Sequence, residues 1–205
     1  MSRIIHTVGN MVKIPDISSI ALHKSDNNII FVGKMSYEPN IVAVTFFSTL
    51  IFPSLKVQYP NLEFIIVGAN PDDKVKELTK IEGVTVTGFV DSVEPYFKDS
   101  TIVVAPMLTG AGIQNKIIQA MSYGCCVATT SIGAEGLEIN NDEIEILNSA
   151  EEWINGLNLL LKNRKRRIDK GRLARQYVID NLSPRIISRQ FWNFIRQGGI
   201  DVPLI

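Results

Sequence analysis

The residues best placed to do chemistry run Val103-Val104-Ala105-Pro106-Met107-Leu108-Thr109-Gly110-Ala111-Gly112-Ile113-Gln114-Asn115-Lys116. They read as an apolar strand, a glycine-bearing turn, and the start of a helix over 113–123 that Gly124 stops as a C-terminal cap. Backbone N–H groups at such a start, with the positive end of the helix dipole, make an anion site. Gly110 and Gly112 let the backbone approach a phosphate with no Cβ in the way. Between Ser100 and Ala134 there is no carboxylate, and Lys116 is the only charge. A lysine in the first turn opposes the dipole, and a bound diphosphate would reverse that penalty. The plainer alternative is that buried strands and their turns are poor in charge whatever they bind. Along the helix, Ile113, Ile117, Ala120 and Met121 form a core stripe. Lys116 and Gln119 are neighbours on another face, turned either to a ligand over the helix start or to solvent.

Such a turn must be held by a sheet. Apolar runs at 29–32, 62–67, 84–87, 101–105, 125–129 and 144–147 alternate with helical segments, so the fold class is α/β: a single Rossmann-like, doubly wound parallel sheet of about six strands. Ligands of such sheets sit at the carboxyl ends of the strands. A helix beginning near Pro39 should carry Ile41, Val44, Thr45, Leu50 and Ile51 inward, with Pro53 bending it. Residues 1–28 read as a connecting segment, 29–150 as the ligand-binding domain, and 151–205 as C-terminal helices packed on it.

Composition excludes several classes. Lysine plus arginine number 21 and so do aspartate plus glutamate, which gives no support to nucleic-acid binding. No apolar run approaches the roughly 18 residues of a membrane span, and the N-terminus lacks a signal-peptide core. Cys125 and Cys126 are adjacent, point to opposite faces of a strand and cannot easily bridge each other, which fits a reducing, cytoplasmic setting. No carboxylate pair lies near the glycine turn, so no metal is expected, and His6 and His23 read as incidental. The first strand is followed by Gly33-Lys34-Met35, without the G-x-G-x-x-G of dinucleotide enzymes. Between Glu151 and Arg196 basic residues exceed acidic ones by eleven to four. That excess reads either as the solvated outer faces of helices or as a surface that leans on anionic membrane.

The ordered series Phe31-Val32-Gly33-Lys34-Met35, Pro39-Asn40, Phe64–Ala69, Val86-Thr87-Gly88-Phe89-Val90, Ala105-Pro106, Gly110–Gly124 and Val127–Thr130 resembles the C-terminal, donor-binding domain of GT-B fold, group 1 glycosyltransferases. The resemblance implies one half of a GT-B fold. It implies a diphosphate loop at Gly110, Ala111, Gly112 and Ile113 with Lys116, and a base-reading turn at Gly88, Phe89 and Val90. It also implies a donor loop at Gly33 and Lys34. Gln119 stands where the family usually carries a ribose-binding glutamate, and Ala111 where an acidic residue near the sugar is common. The implied function is retaining transfer of a sugar from a nucleotide diphosphate sugar to a glycan or lipid-linked acceptor, in surface polysaccharide assembly. The partner would be an N-terminal acceptor domain or partner chain; no cofactor beyond the donor is implied, and no catalytic base is assigned. The alternative is a non-catalytic module that binds a nucleotide sugar or a partner. A sugar-nucleotide epimerase of the same architecture would need a second domain and acidic residues that have no counterpart here.

Overall fold

The computed structural model describes residues 10–16, 26–110 and 112–197. Six strands form one parallel sheet in the order β3-β2-β1-β4-β5-β6, comprising β1 Asn28–Val32, β2 Glu63–Val67, β3 Val84–Val86, β4 Ile102–Ala105, β5 Val127–Thr129 and β6 Glu145–Ile146. The two most uniformly apolar runs, β1 and β4, lie side by side at the centre, with Ile29 opposite Ile102 and Ile30 opposite Val103. Strands buried on both faces must be apolar throughout, so these take the middle. From β1 the chain crosses to β2 on one side, and from β4 to β5 on the other. Loops therefore part between the carboxyl ends of β1 and β4, and a cleft opens there.

Between β1 and β2 run α1 Glu38–Phe46, a π-helical turn Phe47–Ile51 and α2 Phe52–Gln58. The stretch Glu38–Gln58 is long and apolar enough to cross a membrane by length and composition, unlike anything expected from reading the apolar runs. Half of it is buried within the fold, and its Phe47 ring packs 4.6 Å from Phe64 of β2 and 5.8 Å from Trp153. Pro53, lacking an N–H, stands in the first turn of α2, and the π turn just ahead of it lengthens the helical repeat. That extra residue rotates the buried stripe onto Phe47, Ser48, Ile51 and Phe52. Leu50, expected to face inward, is 59% exposed for this reason.

Short helices α3 Asp73–Glu77 and α4 Glu94–Asp99 flank β3, and α5 Asn115–Ser122 follows β4. The chain continues into α6 Ala150–Lys162, α7 Arg164–Leu182 and α8 Pro184–Gln197. A capping box at Ser149 and Glu152 starts α6, whose Trp153, Leu157 and Leu160 complete the core.

The basic excess of these helices is not all solvated. Arg167 is buried and donates to the Leu160 and Leu161 carbonyls at 2.7 and 2.8 Å, neutralising the negative end of α6, and also pairs with Asp26. Lys170 is buried beside Glu145 at 3.0 Å. Arg175 donates to the Ser122 carbonyl at the end of α5 and to the Pro15 carbonyl at 2.7 Å. Lys170 thus ties α7 to β6, Arg167 ties it to the end of α6, and Arg175 ties it to the end of α5 and to Pro15. These three basic residues hold helices in place and do not belong to a solvated outer face. Residues 10–16 lie against the same helices, the Val12 amide donating to the Leu182 carbonyl at 3.1 Å.

Candidate functional site

Helix α5 begins two residues later than its apolar period suggested. Gln114, with extended backbone, is its N-cap, and no side chain caps the helix. Gly112 (φ 70°) and Ile113 therefore belong to the loop ahead of the helix, where Gly112 makes a left-handed bend that other residues adopt at a cost. Gly110 and Gly112 are exposed at the mouth of the cleft, and the placement of Ala111 lies outside the described residues.

Lys116 sits in the first turn of α5 and reaches back between β1 and β4. Its Nζ donates to the Asn40 Oδ1, lies 3.5 Å from the Met107 Sδ, and stands 5.0 Å from the centroid of the Phe31 ring. Every one of these partners is neutral, and among the described residues no carboxylate pairs with it. Desolvation brings its pKa down from 10.5 to about 8. A half-buried ammonium with soft, neutral neighbours and no counter-ion is an electrostatic demand for an anion.

Asn40 fixes that ammonium, and sequence reasoning gave it no role. It is buried in the first turn of α1, where its Nδ2 donates to the Lys34 carbonyl at 3.0 Å. It thus ties the Gly33-Lys34 loop to Lys116. Its one signal in the sequence is an amide within an otherwise apolar helix face. The loop after β1 is also joined to that after β2: the Gly33 amide donates to the Val67 carbonyl at 3.0 Å and the Met35 amide to the Ala69 carbonyl at 2.9 Å. Lys34 itself is exposed. Thr130, likewise missed, is buried and donates to the Met107 carbonyl, holding the loop that follows β4.

A carboxylate enters this otherwise acid-free region from outside it. Glu135 Oε2 lies 3.4 Å from the Gly112 amide, a long and exposed contact. No described side chain bonds the Ile113 amide. The loop amide at Gly112 thus already meets an anionic oxygen, held weakly enough to be exchanged for another.

Gln119 is half-buried one turn beyond Lys116 and faces a separate cavity of about 360 Å³, together with Asn115 and Tyr123 of the same helix face. The turn after β3 places Gly88 and Val90 partly buried and leaves the Phe89 ring 75% exposed. The structure thus gathers Gly33, Gly112, Ile113 and Lys116 at the carboxyl ends of β1 and β4, with Gln119 on the next turn. Gly88–Val90 belong to the turn that follows β3, at the edge of the sheet.

Residues 26–163 match the family described as glycosyl transferases group 1. An uncharacterised 44.6 kDa protein in the cps region of Klebsiella pneumoniae is 27% identical over 124 residues, which is 57% of this chain and 32% of that protein. Among solved structures, a mutant form of S. aureus TarM, in complex with fondaparinux, alpha-GlcNAc-glycerol and UDP, aligns with a TM-score of 0.77 at 19% identity over 92% of this chain and 38% of its own. The C-terminal domain of the group 1 family protein LpcC from Francisella tularensis aligns with a TM-score of 0.61 at 19% identity, covering 78% of this chain and 88% of that domain. The chain therefore spans about a third of the Klebsiella protein and somewhat more of TarM, and it shares the architecture of one half of a GT-B fold.

Proposed function

The chain belongs to the group 1 glycosyltransferases, and from that premise we propose that this domain binds the nucleotide diphosphate sugar from which such an enzyme takes its sugar. The observation that carries the proposal is Lys116, an ammonium at the cleft that has no anionic partner among the described residues. A diphosphate placed there meets that cation, the Gly112 and Ile113 amides, and the positive end of α5. The same groups would stabilise the charge that grows on the leaving diphosphate during retaining transfer. No described residue is assigned as catalytic base, and a glycan or lipid-linked acceptor would be held by an N-terminal domain or partner chain. The Klebsiella relative's place in a cps region supports a role in surface polysaccharide assembly. The buried cysteines Cys125 and Cys126, adjacent in the chain and unable to bridge each other, suit a reducing cytoplasmic setting.

UDP is the probe of choice, since the TarM complex contains it. Calorimetric titration of the chain with UDP should give saturable binding; no heat at millimolar UDP, GDP and ADP overturns the proposal. Glu135 competes with the phosphates for the Gly112 amide, so Glu135→Gln should tighten UDP binding about 3- to 10-fold, read in the same titration. Unchanged or weaker binding would mean that the contact does not oppose the ligand.

A second reading, a binding module without transferase activity, is favoured by one feature: Gln119 offers an amide where a carboxylate would hold the ribose more strongly. Addition of a matching acceptor domain separates the two, because only the first reading then yields sugar transfer.

A further inference from the structure

The cavity of about 360 Å³ beside the cleft has walls from three separate parts of the chain. Asn115, Gln119 and Tyr123, spaced one turn apart, form the α5 wall; Glu94 comes from the first turn of α4, and Met11 and Lys13 from the N-terminal segment. Among the residues lining it, Glu94 is the only carboxylate. Its oxygens accept from the Lys98 Nζ at 2.6 Å and from the Tyr123 hydroxyl, leaving acceptor positions unused on a group with about four. The Lys98 hydrogen bond holds the Glu94 carboxyl below the ordinary range, so it is ionised at neutral pH. Gln119, three residues beyond Lys116, stands roughly 4.5 Å further along the helix axis. A nucleoside diphosphate with its phosphates at Lys116 would therefore bring its ribose to Gln119, at the wall of this cavity.

Resting on the donor-site reading above, we propose that Glu94 is a specificity-determining residue, whose carboxylate accepts hydrogen bonds from the ribose hydroxyls across the cavity from Gln119. Vicinal hydroxyls are two donors, and a carboxylate is their strongest protein acceptor; neutral Gln119 offers one carbonyl. Glu94 and Gln119 together therefore select ribonucleotides over 2′-deoxyribonucleotides. Met11, Val12, Lys13 and Pro15 line the same cavity, so the ribose pocket is built partly by chain that precedes the sheet.

The test is calorimetric titration of the unaltered chain, Glu94→Gln and Lys98→Gln with UDP and 2′-deoxy-UDP. The unaltered chain should prefer UDP by about tenfold. Glu94→Gln should reduce the preference below about threefold by weakening UDP alone, and Lys98→Gln, which removes the ion pair but keeps the carboxylate, should preserve it. A preference retained in Glu94→Gln, or absent from the unaltered chain although UDP binds, overturns the assignment and leaves the diphosphate site standing. Failure of both nucleotides to bind the unaltered chain overturns the donor site and this assignment together.

Discussion

Lys116→Met lowers UDP affinity by about 100-fold or more while the domain stays folded and melts no lower than before. A charge-assisted hydrogen bond to phosphate is worth about 1.5–3 kcal/mol, and a lysine between two phosphates makes more than one. Methionine keeps the apolar stem against Phe31 and removes a cation whose local partners are all neutral. Its loss breaks no ion pair, and the relieved desolvation cost outweighs the hydrogen bond that the Asn40 Oδ1 loses. Binding and stability should thus move in opposite directions, as at a site arranged for a ligand. The pH dependence follows with a definite sign. The folded, ligand-free protein releases the Lys116 proton at about 8, below the ordinary 10.5, so the cost of burying the charge is fully present below pH 8 and fades as pH rises toward 10.5. UDP needs the cation, so its affinity should hold up to about pH 8 and then fall by as much as tenfold per pH unit. In Lys116→Met that fall disappears. Titrations at pH 7, 8 and 9 check both; an equal fall in the variant would assign it to another group.

Gly68→Ala is the substitution with the largest expected loss of stability. A Cβ there would lie 1.7 Å from the Gly33 carbonyl oxygen and 2.8 Å from its carbon. Those are backbone atoms, fixed by the bonds that join the loops after β1 and β2, so no side chain can swing aside. The loops must separate, at a cost of about 3 kcal/mol or more. For a domain of this size the melting temperature should drop by roughly 6–12 °C, read by thermal denaturation. UDP binding should weaken as well, because Gly33 and Lys34 carry Asn40 and through it Lys116. Gly88→Ala is the control: its Cβ would meet nothing within 4 Å, leaving only about 1–2 kcal/mol of left-handed strain at φ 71°. Equal melting temperatures for the two variants would show that the Gly33–Gly68 approach is not tight in solution.

The elements and the cleft were open to reading from the sequence because both rest on local patterns. Ile29–Val32 and Ile102–Ala105 are apolar at every position, as only strands buried on both faces can be, and Gly124 ends α5. Lys116 stood out as the one charge in a long neutral stretch, and tertiary structure left it half-buried with no counter-ion among the described residues. Other features were beyond local patterns. The π turn ahead of Pro53 broke the helical period, so Leu50 faces out. Arg167, Lys170 and Arg175 read as surface charge because nothing in their own helices shows the carbonyl ends they meet.

The sequence alone thus determined the apolar runs that become strands, the glycine-bearing turn after β4 and the one cation that follows it, since each depends on neighbours within a turn or two. Only the tertiary structure decided that Asn40 grips Lys116 across 76 positions, that Glu135 reaches Gly112 across 23, and that Glu94 faces Gln119 over a shared cavity. Packing the helices on a twisted sheet brings such pairs together, and the resulting contacts depend on the whole core rather than on any short stretch of chain.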